Sequence, residues 1–133
     1  MHKIINPQGW KKAKGYSNGV VATGPTLYIG GQIGWNKDQI FIADDFIGQM
    51  EQCLKNIVDV TTTAGGQVTD LVRMTWYVTD KSEYIANQSE VGEVYRKIIG
   101  RHFPAMTMVV VSELVEDKAL IEIEATAVLS ESA

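Results

Sequence analysis

The sequence predicts a small α+β fold that assembles into an oligomer, and three observations carry that prediction. Two segments repeat apolar residues at helical intervals of three and four, and several short segments alternate with the two-residue period of strands. The closing stretch, Phe103 to Val128, reads as two strands too apolar for two helices to cover. The length of 133 residues suits one domain spanning 1–133.

Gly19 to Thr23 and Thr26 to Ile33 are rich in Val, Ile, Leu and Tyr and flank the turn signal Gly24-Pro25, which predicts a hairpin. Gln39 to Ile42, after the polar Asn36-Lys37-Asp38, predicts a short third strand. From Asp44 the period changes. Ile47, Met50, Leu54, Ile57 and Val58 form one stripe, with Asp44 or Asp45 as N-cap and Gly65-Gly66 as the stop, so a helix is predicted over 44–64. Leu71 to Thr79 alternates Val72, Met74, Trp76 and Val78 against Arg73, Thr75 and Tyr77, which predicts a strand. After Asp80 to Glu83, the stripe Val91, Val94, Tyr95, Ile98 and Ile99 ends at Gly100 and predicts a second helix over 81–99.

Ala105 to Leu114 and Ala119 to Leu129, separated by Glu116-Asp117-Lys118, complete the pattern as two long strands. In the first, Thr107, Val109 and Val111 share one face and Met106, Met108 and Val110 the other. Helices cover one face of such a sheet, so another subunit is the simplest cover for the opposite face.

Composition removes several function classes. Apolar residues make up 45% and charged residues 21%, which fits a folded globular chain. The net charge is −4, and apart from Lys11, Lys12 and Lys14 the basic residues are scattered, which argues against nucleic acid as a partner. No apolar run reaches the ~18 residues of a membrane span, and Met1 to Trp10 lacks the apolar stretch of a signal peptide. A cytoplasmic chain without membrane contact is expected. Cys53 is the only cysteine, so the chain forms no internal disulfide, and its place on the first helical stripe marks it as a small apolar filler. His2 and His102 lie far apart with no ligand-spaced carboxylates, and no metal is expected.

Candidate chemistry is sparse. Glu122 and Glu124 lie two residues apart and so share one strand face, where partial burial can tune a carboxylate toward general acid or base work; an interfacial salt bridge or a hydrogen bond to neighbouring backbone is the plainer account of the pair. Gly30-Gly31 lacks the spacing of a phosphate loop and reads as close backbone packing, or as backbone aimed at a ligand.

Taken together, Tyr16-Ser17-Asn18, Ile29-Gly30-Gly31-Gln32-Ile33, Glu93-Val94-Tyr95 through Gly100, Phe103-Pro104-Ala105 and Ile121-Glu122-Ile123-Glu124-Ala125 resemble the Rid family, the reactive intermediate deaminases. The match holds in order and spacing over residues 16–128. The resemblance implies a chorismate-mutase-like α+β fold: a mixed six-stranded sheet with two helices on one face, in a homotrimer with ligand sites in the clefts between subunits. It also implies hydrolysis of reactive enamines and imines such as 2-aminoacrylate to ammonia and a 2-oxo acid. Water is the nucleophile, and neither a metal nor an organic cofactor is used.

In that family an Arg after Pro-Ala grips the substrate carboxylate, and the first Glu of the Ile-Glu-Ile-Glu run positions water. An Asn on the second helix, a Tyr near the N-terminus and strand backbone line the pocket. Carried over, Glu122 takes the catalytic position, and Tyr16 and Gly31 stand in the binding positions. Met106 occupies the Arg position and Gly92 the Asn position. A thioether has no charge and no donor, so the bidentate grip of a guanidinium on a carboxylate is lost.

The expected function is therefore hydrolysis of a small imine, enamine or related metabolite other than 2-aminoacrylate. Its ligand either lacks an α-carboxylate or is held by another cation, with Arg73, Arg101 and Lys118 as candidates. The alternative is a trimer that binds a small molecule without turnover. Ribonuclease action or translation inhibition ranks last, given the charge distribution.

Overall fold

The computed structural model describes residues 2–130. Its strands are β1 (Lys3–Ile5), β2 (Gly19–Val21), β3 (Thr26–Ile33), β4 (Leu71–Val78), β5 (Ala105–Val110) and β6 (Ile121–Val128). Its helices are α1 (Phe46–Thr63), α2 (Lys81–Ala86) and α3 (Gln88–Ile98), with a single 3-10 turn at Val68–Asp70. The architecture is α+β with a mixed sheet, as the sequence predicts, but the strands divide into a four-stranded sheet of order β3-β6-β4-β5 and a two-stranded ribbon β1-β2.

The predicted hairpin does not form. β2 pairs antiparallel with β1, which the sequence reading missed, and β3 pairs antiparallel with β6. Gly24 has φ +146 and packs on the Leu129 carbonyl, and Leu129 N–H donates to the Pro25 carbonyl at 2.8 Å. Gly24-Pro25 thus redirects the chain into the larger sheet, where an eight-residue partner offers a longer ladder than β2 does.

Gln39 to Ile42 is not a strand either. Asn36 Oδ1 accepts the backbone N–H groups of Asp38 and Ile40, which closes a tight turn, and only an isolated bridge joins Trp35 to Phe41.

α1 begins and ends where predicted, at Asp45 and at Gly65, which has φ +87. The predicted second helix is broken at Asn87 into α2 and α3. The Asn87 side-chain amide donates to the Glu83 carbonyl at 2.6 Å and so competes for the acceptor that helix continuation would use. Asp80 caps α2 by accepting Ser82 N–H at 2.9 Å.

The two closing strands are shorter than predicted and are not neighbours: β4 lies between them, parallel to β5 and antiparallel to β6. The helices cover one face of the sheet. Met50, Cys53, Leu54 and Ile57 of α1 are fully buried against Met74, Trp76, Ile121 and Ile123. The opposite face is open and mixed rather than apolar. Val109 and Tyr28 are 40% and 80% exposed there, but Arg73, Thr75, Tyr77, Glu122 and Glu124 fill its middle. Among the described residues, no helix is long and apolar enough to cross a membrane.

Candidate functional site

The site follows from how the chain is pinned at the outer edge of the sheet. Ser17 makes a parallel bridge to Ala105, its N–H donates to the Pro104 carbonyl at 3.1 Å, and its hydroxyl donates to the Phe103 carbonyl at 2.5 Å. These bonds bring Tyr16 beside β5. On the other side, α2 contributes Tyr84 and α3 contributes Gln88, Val91 and Arg96 over the same edge. A cavity of about 570 Å³ lies between them, and its walls include Tyr16, Trp76, Gly92, Arg96, Met106 and Met108. Tyr16, Gly92 and Met106, predicted from three distant parts of the sequence, therefore meet in one cavity.

Its floor is aromatic. Tyr95 stacks on Phe103 at 5.5 Å and lies 6.5 Å from Trp76, and its hydroxyl donates to the His102 carbonyl at 2.6 Å. Burial pushes the Tyr95 phenol up, so it stays a neutral donor. Met106 and Met108 are half-buried beside this floor. The sheet wall of the cavity, where the resemblance places a guanidinium, is a thioether surface.

A guanidinium is nonetheless present. Arg96 lies one helical turn beyond Gly92 and folds back over it, so that a Cβ added at Gly92 would meet Nη1 at 2.9 Å. Lys14 also lines the cavity. Of the cations proposed from sequence, Arg73 lines an adjoining depression of about 250 Å³ with Tyr16 and Met106. Arg101 and Lys118 do not line the main cavity. The sequence reading missed Arg96, whose signal was its i+4 spacing from a glycine on the same helix face.

Gly31 and Glu122 form a second group. The ladder between β3 and β6 slips between Ile29 and Gln32, and the Glu122 carboxylate packs directly on Gly31 within that irregularity. Ile121 and Ile123 are buried beneath the helices, so Glu122 and Glu124 face the open side of the sheet. There the Tyr77 hydroxyl donates to Glu124 Oε1 at 2.5 Å, and this bond, with lost hydration, holds the Tyr77 phenol above its ordinary range. Tyr77 was also missed; its alternation with Thr75 had placed it on this face. Within one chain, the carboxylate and the cavity lie on opposite faces of the sheet.

Cys53 is buried in the core and burial pushes its thiol up, in keeping with a packing role. His2 approaches Asp70 at 3.9 Å and His102 contacts the Leu71 carbonyl at 2.7 Å, so the two imidazoles serve separate structural contacts. Among the described residues, no three metal-ligating side chains converge.

The α+β fold with its mixed sheet matches that of solved Rid-type proteins. One of them, a protein of unknown function of the conserved Rid protein family, YyfB from Yersinia pestis, superposes with a TM-score of 0.87 at 32% identity, covering 96% of this chain and 98% of that one. A family model described as Endoribonuclease L-PSP matches residues 8–129, and the chain belongs to that family, the Rid (RutC) family. A RutC family protein from Pyrococcus horikoshii is 32% identical over 128 residues, which is 96% of this chain and 98% of the relative. A protein named "Putative reactive intermediate deaminase TdcF" from Escherichia coli is 33% identical over 134 residues, covering 98% of this chain and 99% of the relative.

Proposed function

We propose that this chain is a cytoplasmic Rid-type hydrolase that deaminates a small imine, enamine or related reactive metabolite, in a homotrimer whose ligand sites lie between subunits. The observation that carries this reading is the cavity lined by Tyr16, Gly92 and Met106, in a family with a member named as a deaminase. In the reaction, an enamine first tautomerises to its imine. Water adds across C=N, its oxygen to carbon and a proton to nitrogen, and the carbinolamine passes its hydroxyl proton to nitrogen as the C–N bond breaks, leaving a carbonyl product and ammonia. Glu122 is assigned the water, accepting its proton as the oxygen attacks.

Trimer formation is part of the reading, because a carboxylate on the far face of the sheet reaches a cavity only in a neighbouring copy. The open face around Glu122, with Tyr28 and Val109 exposed, supports that contact. Met106 supports a substrate other than 2-aminoacrylate, since the strand wall offers its carboxylate no charge-assisted bond. The family description mentions an endoribonuclease, but a net charge of −4 without a clustered basic face supports a small-molecule substrate instead.

The test is ammonia release from a panel of imines generated in situ, 2-aminoacrylate among them, with the wild type and Glu122→Gln. Turnover of a panel member other than 2-aminoacrylate, lost in a folded Glu122→Gln trimer, is the expected result. Binding of such compounds without ammonia release would replace the hydrolase by the binding-protein alternative. A scattering mass equal to the 14.7 kDa of one chain would remove the intersubunit site.

A further inference from the structure

We propose that Arg96, admitted to the cavity wall by Gly92, is the anion anchor of this site, and that its ligand is a carboxylate with an apolar, aryl-sized body. This deepens the small-molecule reading above and rests on it. Four observations meet in the one cavity.

The first is the relation between Gly92 and Arg96. Residues four apart on a helix stack on one face, and a side chain at 92 would occupy the space that the Arg96 guanidinium now fills. A glycine inside α3 weakens the helix, and here its lack of a Cβ opens room for a guanidinium. The second is the charge balance. Among the described residues Arg96 has no ion-pair partner, and Lys14 adds a second cation to the same wall.

The third is a buried donor. Nε1 of Trp76, a residue 1% exposed that lines the cavity, is the one buried side-chain nitrogen or oxygen among the described residues without a hydrogen-bond partner. A buried donor left unpaired carries a desolvation cost that an acceptor on a ligand removes. The fourth is size and lining. The cavity of about 570 Å³ falls in the range of sites for drug-sized ligands, and Phe103, Met106 and Met108 give it an apolar interior.

Together these place the negative group of the ligand at the helix wall, on Arg96, with its body on the methionine and aromatic surface. The guanidinium lost from the strand at position 106 is replaced from α3, and the ligand is turned accordingly. Specificity passes from a compact carboxylate gripped at the strand to a larger one gripped at the helix.

Binding of 3-phenylpropanoate and of its neutral counterpart 3-phenylpropanamide to the full-length protein, followed by calorimetry or ligand-observed NMR, tests the proposal without any turnover. The wild type is expected to hold the acid at least about tenfold more tightly than the amide. Arg96→Met, at an exposed helix position, is expected to erase that preference while leaving amide binding in place. Gly92→Ala pushes the guanidinium off the wall and is expected to weaken acid binding while the melting temperature holds or rises, a combination that a purely structural role for Gly92 does not produce. Equal affinity for acid and amide in the wild type, an acid preference that survives Arg96→Met, or binding of neither compound overturns the proposal. Failure of the hydrolase reading shows separately, in the ammonia assay with Glu122→Gln.

Discussion

The Glu122 carboxylate rests on the α-carbon of Gly31: a Cβ added at position 31 would stand 2.8 Å from the Glu122 carboxyl carbon. Two residues 91 positions apart in sequence are thus a single structural unit, in which the absence of a side chain on β3 sets where a carboxylate on β6 can lie.

Gly31→Ala is therefore expected to separate stability from activity. Gly31 is exposed and lies outside the left-handed backbone region, and the group displaced is the end of a flexible side chain, so the cost in stability should stay under about 1 kcal/mol. A displaced Glu122 no longer meets water correctly, and turnover should fall by about tenfold or more. Thermal melts paired with ammonia release check both halves; unchanged turnover would free Glu122 from the assigned role.

The Tyr77–Glu124 pair predicts an alkaline signature. The hydrogen bond to Glu124, then lost hydration, then the charges of Glu124 and Glu122 raise the Tyr77 phenol above its ordinary value of 10.0. A raised folded-state value means that the stabilisation is fully present below about pH 10 and is lost as pH climbs through the raised value. The gap in melting temperature between the wild type and Tyr77→Phe should stay constant from about pH 7 to about pH 9 and shrink above about pH 10. A gap that widens with pH would contradict the pairing.

Gln49 holds the entry to β6. It is 1% exposed, its Nε2 donates to the Ala43 and Lys118 carbonyls at 3.3 and 2.9 Å, and its Oε1 accepts Leu120 N–H at 2.8 Å. Gln49→Met keeps the length of the side chain and leaves those backbone groups unpaired, at a cost of about 2–4 kcal/mol in urea denaturation. A loss within about 0.5 kcal/mol would mean that water or other groups take over the bonds.

Installing the residues that the family resemblance implies tests the reading of the pocket. Met106→Arg with Gly92→Asn returns a guanidinium to the strand wall and removes the room that Arg96 uses. The double variant should gain at least about tenfold in ammonia release from 2-aminoacrylate over the wild type, and more than Met106→Arg alone. Equal rates in the wild type and the double variant would remove Met106 as a determinant of specificity.

Residue periodicity was enough to locate α1, β4 and the cores of β3 and β6, because apolar stripes at Met50, Leu54 and Ile57 or at Met74, Trp76 and Val78 report directly which face is buried. Of the residues proposed for the site, Tyr16, Gly92 and Met106 line one cavity, and Gly31 and Glu122 pack together. Pairing was not legible. The turn signal Gly24-Pro25 suggested a hairpin, yet β3 crosses to β6, because ladder length between segments a hundred residues apart has no trace in local pattern. The break at Asn87 was likewise hidden within a regular apolar stripe, since it depends on one side chain competing for the Glu83 carbonyl.

What the sequence determined by itself is the α+β class and the family, both of which reside in the order and type of residues. What only the tertiary structure decided is spatial: that Glu122 meets Gly31 on one face of the sheet, and that Tyr16, Gly92 and Met106 meet on the other. It also decided that Arg96, with Lys14, brings positive charge to that cavity. Each depends on which strand lies beside which and on the direction a long side chain takes in free space, and both are fixed by packing between distant segments rather than by any neighbour in the chain.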